Sequence, residues 1–491
     1  MGHERWHALA RDLDWEPSYV SERALFPEEI AGSPFRPRAD WEGWEEPYKT
    51  TFAEYVDMQS AKERSLLAVR EAFGSARYFR SLDRSWLSAV KLHGATLALA
   101  EFTAVVGNLR AARFGRTSSW RTAACFGALD EIRHTQIPLS FMSELVRHDA
   151  QFDWTHRLYH TNNWVSVAAR SVFDDLLLAS TATELAVGAN FVFETGFTNL
   201  QFVGLTALAD RVGDHLLRSM LASIQTDEAR HAQIGRPTLE KLVAHAPDVA
   251  QQLVDKWFWR TWLLFSVVTG ITMDYLTPIE RRTRSFKELV EEWVVEQFIA
   301  ALDELGLKRP WYWHVFERSL ETYHHMIYAS AYSYRTTVWF DFALPGPEER
   351  AWLRSHYPTS WPSFEPVWDR ITELWRATDP GVELAVHGAA IPTFCSLCHL
   401  VLAHGSPERN DACHLMHGAE RFVFCSEPCR WIFEQEPERY TKTLDIVKRV
   451  LAGVAPGNLM EFVRHYSELR HEVWGKDVHA GEYPWLERGA R

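Results

Sequence analysis

Two short runs carry the chemistry in this sequence. Asp130-Glu131-Ile132-Arg133-His134 follows a lone Glu101, and Asp227-Glu228-Ala229-Arg230-His231 follows a lone Glu194. The spacing from lone Glu to paired Glu is 30 residues in the first case (131 − 101) and 34 in the second (228 − 194). Residues three apart share a helix face, so Glu131 with His134, and Glu228 with His231, can each grip one metal ion. One Glu from each of two helices, plus Glu-x-x-His from each of two others, is the di-iron carboxylate arrangement of a four-helix bundle. Four carboxylates balance two divalent cations, and hard oxygen ligands with two imidazoles suit iron or manganese better than zinc or copper. A lone Glu-x-x-His is cheap. The chain has five, at Glu4/His7, Glu131/His134, Glu228/His231, Glu321/His324 and Glu468/His471, and three of them read as ordinary helix faces. Only the two central copies have the preceding Asp, the intervening Arg and the upstream Glu.

A metal-bound imidazole needs an acceptor for its other nitrogen. Asp130 and Asp227 point one residue away from their own ligands, which predicts a crossed pairing, Asp130 with His231 and Asp227 with His134. Leu97, Ala100 and Ala104 flank Glu101. Ala189, Phe193 and Phe202 flank Glu194, with Phe173 further upstream. These small and aromatic residues serve equally as bundle core or as the wall of a dry pocket. Thr198, four after Glu194, either bonds its own helix backbone or relays protons beside the metal.

These residues must be held by long helices. Apolar residues recur at three- and four-residue spacing from about 52 to 340, and predict helices near 85–114, 119–147, 166–199, 208–242, 249–276 and 286–304. The expected class is mainly α: a ferritin-like di-iron four-helix bundle with additional helices and a small C-terminal four-cysteine module. The expected division is an N-terminal arm (1–50), a di-iron helical domain (51–380), the four-cysteine module (381–440) and a tail (441–491). In the module, Cys395-x2-Cys398 is followed after 26 residues by Cys425-x3-Cys429, the ligand number and paired spacing of a structural zinc site. Cys125 and Cys413 fit no such pattern and read as packing residues.

Composition narrows the class. A net charge of −13 across 491 residues leaves no basic stripe for nucleic acid. The polar start argues against a signal peptide, and no stretch reads as a membrane span, so the expected location is the cytoplasm. The 22 Trp and 28 Phe suit heavy core packing and subunit interfaces. A ribonucleotide reductase radical subunit would want Asp at position 101 and Tyr at 138, where this chain has Glu101 and Pro138. A non-catalytic ferritin-like scaffold would not need all six ligands.

At these residues, and in the stretches PSYV, EPYKT, FETGFTN, SIQTDEARHAQ and GKDVH, the chain resembles the hydroxylase α subunit of bacterial multicomponent monooxygenases. The branch it looks like is that of toluene and alkene (isoprene, propene) monooxygenases. The resemblance implies two iron ions on Glu101, Glu131, His134, Glu194, Glu228 and His231, and O2 activation that hydroxylates small aromatics or epoxidises small alkenes. It implies a role for Thr198 in oxygen activation, and a pocket including Leu97, Ala100, Ala104, Phe173, Ala189, Phe193 and Phe202. It implies that Asn199 and Gln225 respond to a docked effector protein. Ala100 and Ala189 depart from the toluene-monooxygenase pattern of Gly and a larger aliphatic residue, so regiochemistry does not carry over. The implied partners are β and γ subunits in an (αβγ)2 assembly, the effector, a Rieske ferredoxin and an NADH-flavin reductase. Neither a dinucleotide G-x-G-x-x-G nor a Rieske Cys/His pattern is present in this chain to supply the electrons itself. Phenol-hydroxylase relatives carry zinc near the place of the four-cysteine pattern.

Overall fold

The computed structural model describes residues 38–45, 47, 49–149, 152, 164–334, 343–377, 393–402 and 413–441. Most of the 1–50 arm, the tail beyond 441 and the GKDVH stretch lie outside them.

Four helices make the bundle. α1 (Phe52–Phe73) lies across it, opened by a capping box in which Thr51 and Glu54 satisfy each other's backbone N–H groups. The first bundle pair is α2 (Arg84–Phe114), capped by Asp83, and α3 (Ser118–Leu145), capped by Thr117. α4 (Trp164–Leu177) crosses outside. The second pair is α5 and α6. α5 starts as Ala182–Ala186, winds as π-helix through Val187–Thr198 and returns to α-helix over Asn199–Val212. α6 is His215–His245.

Two boundaries differ from expectation. The predicted 166–199 helix is broken between Leu177 and Ala182, where Thr181 caps the Glu184 N–H and Glu184 reaches back to Ser180 N at 2.8 Å. The predicted break before 208 is absent. The chain instead turns at Gly213, in left-handed conformation (φ 79°), and Asp214 caps α6. Hydrophobic periodicity runs straight over both caps, so only the Thr-x-x-Glu and Gly-Asp signals mark them.

α2 is long and apolar enough to cross a membrane (mean hydropathy 1.3 over 18 residues), a feature the sequence expectation lacked. Here it lies along α3, burying Ala98 and Val105 while Phe102, Val106 and Leu109 stay exposed. Being apolar on both faces, it has the hydropathy of a span although it carries Glu101.

α7 (Pro247–Phe265, continuing as π-helix through Ser266–Gly270 and Thr272–Leu276) backs the second pair with the fully buried Trp257, Trp259 and Trp262. Gly235 on α6 lets that helix meet the π segment backbone to backbone; a Cβ there would lie 2.4 Å from Phe191 N. From the arm, Trp41 and Trp44 cover Trp120 of α3, and Trp44 Nε1 donates to Thr238 Oγ1 of α6 at 3.0 Å.

The cysteines sit on two small antiparallel hairpins, β1 (Thr393–Phe394) with β2 (Val401–Leu402) and β3 (Cys413–His417) with β4 (Glu420–Phe424), followed by α8 (Glu427–Gln435). This segment shares one continuous hydrophobic core with the bundle. Cys125, by contrast with its expected packing role, is exposed on the outer face of α3.

Candidate metal centre

Glu101 of α2, Glu131 and His134 of α3, Glu194 of the π segment, and Glu228 and His231 of α6 meet in the middle of the bundle, all buried. They form two overlapping groups, Glu101/Glu131/His134/Glu228 and Glu131/Glu194/Glu228/His231, each with one ligand atom per residue within 4.8 Å of the others. Glu131 and Glu228 belong to both. Glu131 turns Oε1 to His231 Nδ1 (3.0 Å) and Oε2 to His134 Nδ1 (3.3 Å). Glu228 does the reverse, with Oε1 at 2.9 Å from His134 Nδ1 and Oε2 at 3.5 Å from His231 Nδ1.

The chemistry of this donor set calls for cations. Both Glu131 oxygens, Glu228 Oε1 and the two Nδ1 atoms are buried and, close as they lie to one another, form no well-directed hydrogen bond. Such orphaned atoms cost about 1–3 kcal/mol each unless something else satisfies them. Burial, reinforced by the Glu131 and Glu228 charges, pushes Glu101 and Glu194 well above the usual carboxylate range. Glu131 is held low in spite of burial by the flanking His231 and His134. Burial alone would depress both imidazoles, yet the surrounding carboxylates hold them well above the ordinary histidine range. Without a metal the cluster must therefore trap protons; two divalent ions would cancel its four negative charges. The residues fit a di-iron site.

The far ring nitrogens are crossed between halves. His134 Nε2 lies 3.3 Å from Asp227 Oδ2, and His231 Nε2 lies 3.0 Å from Asp130 Oδ2. Arg133 Nη1 donates to Asp227 Oδ2 at 2.9 Å, while Arg230 pairs with Asp130 and, at 3.0 Å, with Asp227 Oδ1. The conspicuous Arg of each run thus balances the aspartate of the opposite helix.

A cavity opens beside the carboxylates, lined by Leu97, Ala100 and Ala104 of α2, Phe173 of α4, and Ala189, Phe193 and Phe202 of α5. Phe173 and Phe193 pack edge-on with ring centroids 5.8 Å apart. Thr198 also lines it, its Oγ1 buried with no hydrogen-bond partner. The lining follows α2 from His93 to Ala111, about 27 Å at 1.5 Å per residue. His93 had no motif to mark it. Burial lowers its pKa to about 4, and its Nε2 meets Thr272 Oγ1 at 3.1 Å, so a neutral imidazole closes one end. Gln225 sits half-buried one turn before Glu228, and the Asn199 side chain lies outside the described residues.

The sequence model of the Methane/Phenol/Alkene Hydroxylase family matches residues 15–246, the span that holds all six ligand-type residues. The α subunit of the oxygenase component of an alkene monooxygenase system from Xanthobacter autotrophicus is 37% identical over 98% of both chains. The chain belongs to this hydroxylase family. The oxygenase component of a phenol 2-monooxygenase from a Pseudomonas species is 29% identical over 96% of this chain and 91% of its own. The crystal structure of xenon-pressurised phenol hydroxylase from Pseudomonas sp. OX1 superposes with a TM-score of 0.81 at 25% identity, covering 99% of both chains. This hydroxylase is thus a mainly helical, ferritin-like di-iron protein and the catalytic oxygenase component of a multicomponent monooxygenase, an oxidoreductase whose NADH dependence runs through a partner reductase.

Several supporting residues had no signal in the sequence. Gln59 of α1 donates one amide nitrogen to Asp130 Oδ1 (2.8 Å) and Asp227 Oδ1 (2.9 Å), and Lys62 pairs with Asp227. Asn190 Nδ2 donates to Glu194 Oε2 at 2.9 Å within the π segment. Of the other Glu-x-x-His pairs, Glu4/His7 and Glu468/His471 lie outside the described residues. Glu321 pairs with Lys287, and His324 bonds Asp274 Oδ2 at 2.9 Å, away from any ligand group.

Cys395, Cys398, Cys425 and Cys429 are buried, with their sulfurs within 4.8 Å of one another. The Cys398–Cys425 and Cys425–Cys429 Sγ separations are 3.8 and 3.3 Å. That is far beyond a disulfide bond, at about 2.05 Å. It suits a tetrahedron of Zn–S bonds of about 2.3 Å, whose edges are about 3.8 Å. Trp259 Nε1 of α7 lies 3.1 Å from Cys429 Sγ.

Proposed function

We propose that Glu101, Glu131, His134 and Glu228 hold one iron ion and Glu131, Glu194, Glu228 and His231 the other, with Glu131 and Glu228 shared. The observation that carries this reading is the pair of overlapping, buried ligand groups opening on one apolar cavity. The iron pair supplies oxygen activation: one atom of O2 enters a small hydrocarbon and the other leaves as water.

The chain's own residues bind, orient and exclude water. Leu97, Ala100, Ala104, Phe173, Ala189, Phe193 and Phe202 hold an apolar substrate against the carboxylates by hydrophobic contact and keep out bulk water, which would compete for reactive species. Small side chains at Ala100, Ala104 and Ala189 leave room beside Glu101 and Glu194, while three phenylalanines narrow the space around them. We assign the substrate as a small alkene, converted to its epoxide, in keeping with the 37% identical alkene monooxygenase subunit. Small aromatics are the second reading, carried by the phenol-hydroxylase likeness across 99% of both chains. Thr198 Oγ1, buried and unpartnered on the cavity wall, holds and passes a proton beside the metal pair. Asn199 and Gln225 respond to the effector. Electrons come from NADH through a flavin reductase and a Rieske ferredoxin, and the chain assembles with β and γ subunits as (αβγ)2 in the cytoplasm. Cys395, Cys398, Cys425 and Cys429 hold a structural zinc ion.

Product analysis tests the substrate assignment. The reconstituted system, given propene, isoprene and toluene separately, is expected to give epoxides faster than cresols. Phenolic products alone would replace the alkene reading with the aromatic one; no oxygenated product from any of the three would overturn both.

A further inference from the structure

The two halves of the metal centre repeat each other in sequence, but their outer supports differ. Asp130, which faces His231, meets one cation, Arg230, together with the neutral Gln59 amide and the Tyr55 hydroxyl. Asp227, which faces His134, meets three: Lys62, Arg133 and Arg230. Gln59 serves both aspartates alike, through one nitrogen at 2.8 and 2.9 Å. Lys62 has no counterpart at Asp130 among the described residues. A carboxylate already shared among three cations is a poorer acceptor for a fourth donor. The geometry agrees: the imidazole contact is 3.3 Å on the Asp227 side and 3.0 Å on the Asp130 side.

We propose that Lys62 of α1 is a positioning residue that makes the two metal positions inequivalent, by drawing the charge of Asp227 toward Oδ1 and away from the Oδ2 that faces His134. An imidazole firmly hydrogen-bonded to a carboxylate is the more basic ligand and favours the higher oxidation state of its metal. His231 would therefore hold its iron in the ferric state longer, and the iron held by His134 would be the first to be reduced. The Lys62 charge acts in the same direction, since a nearby cation favours the reduced, less positive metal. Lys62 side-chain exposure of 24% leaves it reachable from solvent, so this support is not locked inside the core. A partner that engages the Lys62 ammonium would release Asp227 and shift the balance between the two metals.

The inference rests on the two-iron reading above, and the test separates them. The iron-loaded hydroxylase, assembled with its partner subunits, is reduced stepwise with dithionite, one electron per iron, while the half-reduced state is followed by electron paramagnetic resonance. Lys62→Gln is expected to narrow the gap between the two steps, so the half-reduced signal peaks lower than in the wild type. Lys62→Arg keeps the charge and should restore it. Gln59→Leu strips both aspartates alike and should move both steps together with the gap preserved. An unchanged half-reduced yield in Lys62→Gln at unchanged iron content, or a gap that closes in Gln59→Leu while Lys62→Arg behaves as Lys62→Gln, overturns the role of Lys62. A wild-type protein holding less than one iron per chain instead overturns the two-iron reading.

Discussion

The carboxylate centre and the cysteine cluster lie in one continuous core, yet they are built on opposite plans. The first draws its donors from four long helices far apart in sequence, leaves a cavity open at its side, and is wrapped in charged supports such as Asp130, Asp227, Arg133 and Arg230. The second draws four thiols from two short hairpins and the first turn of α8. Among the described residues, the Trp259 indole lies 3.1 Å from Cys429 Sγ. Hard carboxylates with room for a further ligand suit oxygen chemistry; a closed shell of soft thiolates suits a staple. Both clusters are buried, so what would separate a reactive metal site from a structural one is ligand type and access rather than burial.

The sharpest way to break this contrast is to remove a donor from the reactive site. Glu131→Ala or His231→Ala should bring turnover below detection and iron from about two per chain to below one, while circular dichroism retains most of the helix. Full turnover by a metal-free preparation would end the reading. Next in size is the outer support. Asp227→Ala should lower iron affinity or activity by about 10–100-fold and disturb His134 in preference to His231. Spectroscopy or crystallography of the variant, showing His231 displaced and His134 in place, would contradict the crossed pairing.

The complementary experiment acts on the staple. Cys425→Ser should release zinc and lower Tm by about 5 °C or more, with turnover per intact iron pair little changed. Zinc absent from freshly purified wild-type protein, or a variant that assembles normally and cannot turn over, would count against a purely structural cluster. The smallest effect concerns α7, the helix that touches both regions. Burial raises Asp255 from 3.8 to about 7, against a single opposing hydrogen bond from Gln251. Because the folded pKa lies above the unfolded one, the folded state holds this proton more tightly. The associated stability is present below about pH 4 and is lost as pH rises through about 7. Asp255→Asn should therefore stabilise the protein at pH 8 relative to pH 5, on the order of 1–2 kcal/mol. Equal effects in denaturant melts at both pH values would refute it.

Much of the helical core was legible in the sequence. The helices expected at 85–114 and 119–147 appear as Arg84–Phe114 and Ser118–Leu145, because their apolar periodicity and caps agree. The 166–199 and 208–242 boundaries were misplaced, because periodicity is blind to a cap such as Thr181 when apolar residues continue on both sides. The π winding of Val187–Thr198 left no trace in the pattern either. In the structure it is accompanied by the Thr195 side chain bonding Asn190 O five residues back, and by Gly235 pressed against Phe191.

What the sequence determined by itself was local: two Glu-x-x-His pairs with their metal-facing donors one helical turn apart, and a four-cysteine spacing suited to zinc. The three-residue separation is fixed by helix geometry and needs no knowledge of neighbours. The tertiary structure alone decided that Glu131 and Glu228 face both imidazoles and that His93 closes one end of the cavity. It alone brought Gln59 and Lys62, 71 and 165 residues away from their aspartate partners, onto the outer shell. Such contacts depend on how one helix lies across another. A glutamine or lysine on a helix face looks the same in sequence whether that face meets water or two buried carboxylates.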